Sequence, residues 1–311
     1  MREDDDRTAS LMTPARLAQL KERPRPAASP AAWLDQMAAD AGSGHVRRLL
    51  ELRGQLDGQL REAEGEAVAA SGSALQQALD GLDFAPVQPR GWLARATGKG
   101  KDAAAGFAAQ ARRALRAAED FADEVRAEQR KLPAQRAAVD RSLLEMDVEL
   151  RAIEKIIDQA SRWLQDMRNQ LKARTAAGGD SDVQQQIQAD AARCEVLVAR
   201  LKLLRAASSG TQQAVEPARL AIERRAAWLA AAQAAAEGPV HGWQKALGAL
   251  AEEVAGGGAA AADGLAQARE AQQALGPVLQ RLAQEGEGAR SQHAAALEQV
   301  AAAGAPLQAA A

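Results

Sequence analysis

The most reactive side chain type in this 311-residue chain occurs once, as Cys194. A thiol can reduce or trap an oxyanion when it is exposed and its pKa is lowered. Cys194 instead falls in line with Val183, Ile187, Leu197 and Leu201 at helical stripe spacing, where a small buried hydrophobe is expected. His45, His241 and His293 are far apart, and none has a cysteine or second histidine at ligand spacing. Asp4-Asp5-Asp6 could gather a cation and reads better as a solvated acidic tail. Gly98-Lys99-Gly100-Lys101 has the look of a phosphate loop. It lacks the leading glycine at the required distance, a Ser or Thr after the lysine, and a preceding strand. No Ser–His–Asp or paired-carboxylate arrangement can be assembled. The expectation is a non-enzymatic chain with no cofactor and no metal.

One basic stretch is harder to set aside. Arg90, Trp92, Arg95, Lys99 and Lys101 lie between Asp83 and Asp102 with no acid among them. Such a cluster could seat peripherally on an anionic membrane, each charge near the surface contributing about 1 kcal/mol. The favoured reading is an aromatic plug that docks this connection onto the rest of the protein, its charges solvated. Trp163, Trp228 and Trp243 are likewise expected at helix contacts rather than around a ligand.

The elements that would position these residues centre on Ala134 to Arg174. Val139, Leu143, Met146, Leu150, Ile153, Ile157, Ala160, Leu164, Met167 and Leu171 follow alternating steps of four and three. That 3.5-residue period draws one stripe on an α-helix. Leu144, Val148, Ile156 and Trp163 are expected to widen the stripe into a bundle-forming face. Asp147–Arg151 and Asp158–Arg162 are acid-first i,i+4 pairs, whereas Glu145–Glu149 is a like-charge pair. A stripe of this length needs partner helices.

Residues 1–29 read as a mobile arm. Ser29-Pro30 signals a helix start for residues 30–83, with Trp33, Leu34 and Met37 first and then a helix from about His45 toward Leu82. Residues 84–102 are the proline-rich basic connection. The core of long helices spans 103–255, its seam beginning at Phe107 and passing Phe121, Val125, Glu128 and Leu132. Pro133, with no turn residue beside it, predicts a kink between collinear helices. Gly178-Gly179 predicts a hairpin turn, with Ser181 or Asp182 capping the next helix. That helix repeats the 4–3 spacing through Val183, Ile187, Ala191 (or Asp190), Cys194, Leu197, Leu201 and Leu204. Ser208-Ser209-Gly210-Thr211 predicts a weakening or break, and Gly238-Pro239 leads to a short segment ending near Val254. Residues 256–311 form an Ala/Gly-rich helix and tail, expected to fray after Leu282. The fold class is all-α: an elongated bundle of long antiparallel helices with coiled-coil-like seams.

Composition bounds the partners. A net charge of -2 excludes a generally basic nucleic-acid binder. The single cysteine fits a reducing compartment. An acidic start without an apolar core, and no apolar run long enough to span a bilayer, predict a soluble cytoplasmic protein. The expected partners are another protein or a second copy, met through helical faces.

The order of these segments resembles the toxic-anion-resistance family, the TelA- and KlaA-like tellurite-resistance proteins, over about residues 80–255. The likeness rests on Arg90-Gly-Trp-Leu-Ala-Arg95, the long helix and hairpin, and then Gln213, Pro217, Arg219-Leu220, Pro239, Trp243 and Lys245. In place of the family's Asn-rich triplet after Arg-Leu stand Glu223-Arg224-Arg225, and the His-Asp-Leu element expected near 200–205 is missing. The resemblance implies an all-helical cytoplasmic protein linked to tellurite and envelope-stress resistance. With it, Arg219, Glu223, Arg224 and Gln213 become the candidate contact surface.

Overall fold

A computed structural model describes residues 40–63, 65–88, 99–255 and 262–311, with side chains of 99–103 excepted. Seven α-helices account for most of these residues, and no strand occurs among them. They are α1 (Ser43–Arg61), α2 (Glu66–Asp80), α3 (Lys99–Ala177), α4 (Ser181–Ala235), α5 (His241–Ala255), α6 (Ala262–Ala302) and α7 (Gly304–Ala310). A 3-10 turn covers Ala85–Val87, and a single wide π-type turn at Ala236–Val240 joins α4 to α5. Pro239 lies within that turn, as expected where a missing N–H interrupts the i→i−4 ladder.

The architecture is the expected one: long helices laid antiparallel around apolar seams. At 79 residues, α3 extends about 120 Å. It runs unbroken through Pro133. Gly178 takes φ 69°, the left-handed conformation that ends a helix, and the chain reverses into α4. Asp180 caps α4, its Oδ1 accepting from the Val183 amide at 3.0 Å, one residue earlier than the sequence suggested. Leu150, Ile157 and Leu201 are all buried along the hairpin.

Two apolar cores lie in sequence along this pair of helices. The first gathers α1, residues 139–167 of α3, residues 194–222 of α4, the end of α6, and α7. The second gathers α2, residues 107–125 of α3, the end of α4, α5 and most of α6. Helices α3 and α4 run through both cores. The short connection before α3 docks on the second core through Phe84, whose ring lies 5.7 Å from that of Phe107, and through buried Val87.

Four local expectations are corrected. Leu144 and Val148 are 66% and 58% exposed and do not widen the core face; Ile156 and Trp163 do, packing partly buried against the first core. The N-terminal apolar pattern is split into α1 and α2, because Gly65 (φ 67°) turns the chain beneath Trp228 and Arg225. Helix α4 continues through Ser208–Thr211. Ser208 and Thr211 are buried, the Thr211 hydroxyl donates to the Ala207 carbonyl, and Gly210 lets Pro306 of α7 approach closely. The last stretch does not fray: Ala296, Val300, Ala303, Leu307 and Ala310 are buried. Their small side chains permit close packing of helices, so a thin apolar pattern suffices there.

The like-charge pair Glu145–Glu149 also finds its reason. Arg48 Nη2 of α1 reaches Glu145 at 2.5 Å, and His45 Nδ1 lies 2.6 Å from Glu149 Oε2. Each carboxylate thus meets a basic side chain of α1, whose apolar face is buried in the first core. Asp147–Arg151 forms as expected, at 2.8 Å.

Candidate functional site

Helix α4 carries two stripes of identical spacing. The inner one, stepping four and three from Asp190 through Cys194 and Leu197 to Arg225 and Leu229, is buried throughout. Asp190 rather than Ala191 holds its seam position, with Arg174 Nη1 at 2.9 Å and Arg193 Nη1 at 3.1 Å neutralising it. Cys194 is 2% exposed, and burial raises its thiol pKa above the ordinary value, both opposite to what a nucleophile needs.

The outer stripe comprises Ala189, Ala192, Val196, Ala199, Leu203 and Ala206, all exposed. Val196 is 56% and Leu203 37% exposed. Among the described residues five large apolar side chains are exposed, and α4 supplies Val196, Leu203 and Leu220. Beyond Ala206 the 4–3 count meets half-buried Gly210, which Pro306 of α7 covers, and half-buried Pro217; Gln213, Leu220 and Arg224 between and after them are exposed. Gln213 and Arg224 thus share the stripe with the apolar positions, and Arg219 and Glu223 are exposed on the same helix. The structure therefore places the four surface residues read from the sequence on α4, and adds exposed apolar positions that the sequence reading left unassigned.

Arg90, Trp92 and Arg95 lie outside the described residues. Lys99 and Lys101 begin α3, and their side chains also lie outside the described set. Trp243 is fully buried and Trp228 nearly so; each belongs to the second core.

Sequence reasoning missed a buried charge node where the two cores meet. Arg225 is 3% exposed. Its Nη2 donates to Glu128 Oε2 at 2.6 Å, and its Nη1 to Gln135 Oε1 at 2.7 Å. Lys131 Nζ reaches the other Glu128 oxygen, Oε1, at 2.8 Å. Burial lowers the Arg225 pKa while the Glu128 carboxylate opposes that fall. Trp228 stacks its ring edge over Gly286, where a Cβ would come within 2.9 Å of Nε1, and donates that N–H to the Leu282 carbonyl at 3.0 Å. This closes α6 onto α4 beside the node. A groove of about 410 Å³ opens between α2 and α6, floored by Trp228 and rimmed by Gln76, Gln280 and Arg290. A signal for the node was present in the spacing: Glu128 sits on the α3 seam, and counting the α4 seam past Leu204 arrives at Arg225.

Among the described residues no group of three or more His, Cys, Asp or Glu side chains could hold a metal. No described helix is long and apolar enough to cross a membrane. Comparison with family models, with curated proteins and with solved structures gives no match.

Proposed function

We propose that this chain is a non-enzymatic, cytoplasmic helical protein that acts by offering the outer face of α4 to another polypeptide, in the setting of toxic-anion and envelope-stress resistance. One observation supports this reading above all: an apolar stripe with a coiled-coil period that lies outside both cores, on the exposed side of the helix running through each of them. A surface helix ordinarily shows polar residues on its solvent face. Contiguous exposed apolar surface marks contact sites. The buried state of Cys194 argues against the competing idea of a thiol that reduces or ligates tellurite. The link to resistance comes from the resemblance at Gln213, Arg219-Leu220, Pro239 and Trp243.

The test is growth of a deletion strain on tellurite, complemented with the wild-type chain or with Cys194→Ser. Both are expected to restore growth. Loss of resistance with Cys194→Ser at unchanged melting temperature overturns the contact reading in favour of thiol chemistry. If deletion leaves tellurite tolerance unchanged, the resistance setting falls. A second reading, a general self-assembling scaffold, is favoured by the same stripe and predicts particle mass that keeps growing with concentration in light scattering.

A further inference from the structure

We infer that the occupant of the outer α4 stripe is the same stripe of a second copy, running antiparallel. This rests on the contact reading above and gives the partner's chemistry. The argument is one of register. When Val196 is set against Ala199 of the second copy, every apolar position of the stripe finds an opposite number. Ala192 then meets Leu203 and Ala189 meets Ala206, and each of these pairings recurs by the two-fold symmetry. Both large side chains, Val196 and Leu203, fall opposite alanines. Large against small is what lets two helices interdigitate at close approach.

The charges beside the stripe agree with this direction. Glu195 and Lys202 lie on one flank, seven residues apart and of opposite sign. Glu195 meets Arg168 Nη2 of its own α3 at 3.3 Å, but with the two side chains 72% and 51% exposed this is a surface contact that a second copy's lysine can replace. In an antiparallel pair this flank faces itself, so Glu195 lies near Lys202 of the second copy and Lys202 near its Glu195. A parallel pair would set residues of like number level with one another and make neither crossing. On the other flank, the Arg193 charge is met within the chain by Asp190 at 3.1 Å. Arg200 there donates Nε to the Ala41 carbonyl and Nη1 to the Ala310 carbonyl. The guanidiniums are therefore held back along their own molecule. A seam of this length, mostly alanine, buries less than the roughly 1,200–2,000 Å² of strong interfaces, so the pair forms reversibly with concentration.

Sedimentation velocity of the full chain over a wide micromolar range reads this out. The wild-type mass is expected to double and then stop, and Leu203→Glu to remain a monomer with unchanged melting, since that side chain is already 37% exposed. Direction is tested by disulfide trapping in a Cys194→Ser background. Ala192→Cys and Leu203→Cys proteins are each expected to stay uncrosslinked alone, because like residues sit about 16 Å out of register in the antiparallel pair. Mixed, the two should form a disulfide-linked dimer. A wild-type chain that remains monomeric, mass growth past the dimer, or crosslinking of either variant alone overturns the inference. A monomeric chain whose Leu203→Glu variant nonetheless loses resistance overturns the second copy while leaving the contact reading standing, with a different partner.

Discussion

Replacing Glu128 with leucine should be among the most damaging single changes in the protein. Arg225 is 3% exposed and faces Glu128 at 2.6 Å and Gln135 at 2.7 Å. Its Nε is already buried without a hydrogen-bond partner. With the carboxylate gone, a guanidinium stays between the two cores with one amide oxygen as partner. Removing one member of a buried ion pair typically costs about 3–5 kcal/mol. For a chain of this size that lowers the melting temperature by on the order of 10 °C. The second arm decides the cause. In Glu128→Leu with Arg225→Met the stranded charge is removed as well, and stability should return to within about 1–2 kcal/mol of wild type. Chemical denaturation of the two single variants and the double variant closes the cycle, and a large favourable coupling is the expected result. If Glu128→Leu costs less than about 1 kcal/mol, or the double variant loses the sum of both singles, the two side chains are not a coupled buried pair and the reasoning fails.

Three further outcomes follow from local geometry. Gly286→Ala puts a methyl within 2.9 Å of Trp228 Nε1 and should destabilise by about 1–3 kcal/mol, with a change in tryptophan fluorescence as the ring shifts. Asp180→Ala removes the α4 cap and should cost about 1 kcal/mol in denaturant melts; no change would mean the hairpin turn is held by glycine geometry alone. Burial raises the Cys194 pKa, so on raising pH the unfolded chain loses its thiol proton before the folded one does. The folded state then holds more protons, and this group's contribution to stability declines as pH climbs from about 8.5. Cys194→Ser should flatten that alkaline decline, and alkylation of the native thiol should be slow until the chain unfolds.

Much of the architecture was legible because the 4–3 spacing is a direct consequence of helices wrapping around one another. The seam from Val139 to Leu171 and its counterpart from Cys194 to Leu204 needed no tertiary information. What escaped the sequence is instructive. Leu144 and Val148 read as core by type, yet the helix turns them 66% and 58% outward; residue type cannot say which apolar face finds a partner within the chain. Ser208–Thr211 read as a break, because the small polar residues that weaken a helix also permit the close approach of α7. The thinning toward Ala311 read as fraying for a related reason: alanine carries little apolar area, but it lets backbones approach. The charge node was hidden because Glu128 and Arg225 are surface types, and only seam position, not composition, puts them inside. A polar pair between two long apolar seams also favours one register, since sliding α3 along α4 would leave the Arg225 charge buried away from Glu128.

The candidate surface was half legible. Gln213, Arg219, Glu223 and Arg224 were singled out and are exposed. Val196 and Leu203 already fell outside the seam that the 4–3 spacing picked out, but spacing alone does not say whether leftover apolar positions are covered by another helix; the structure leaves them exposed.

Whether the outer face of α4 is the working surface can be asked most directly by complementing the deletion strain with Val196→Glu/Leu203→Glu. Both positions are exposed, so the variant should melt as wild type does. Tellurite resistance is expected to be lost at normal protein level; full resistance from this variant would contradict the account.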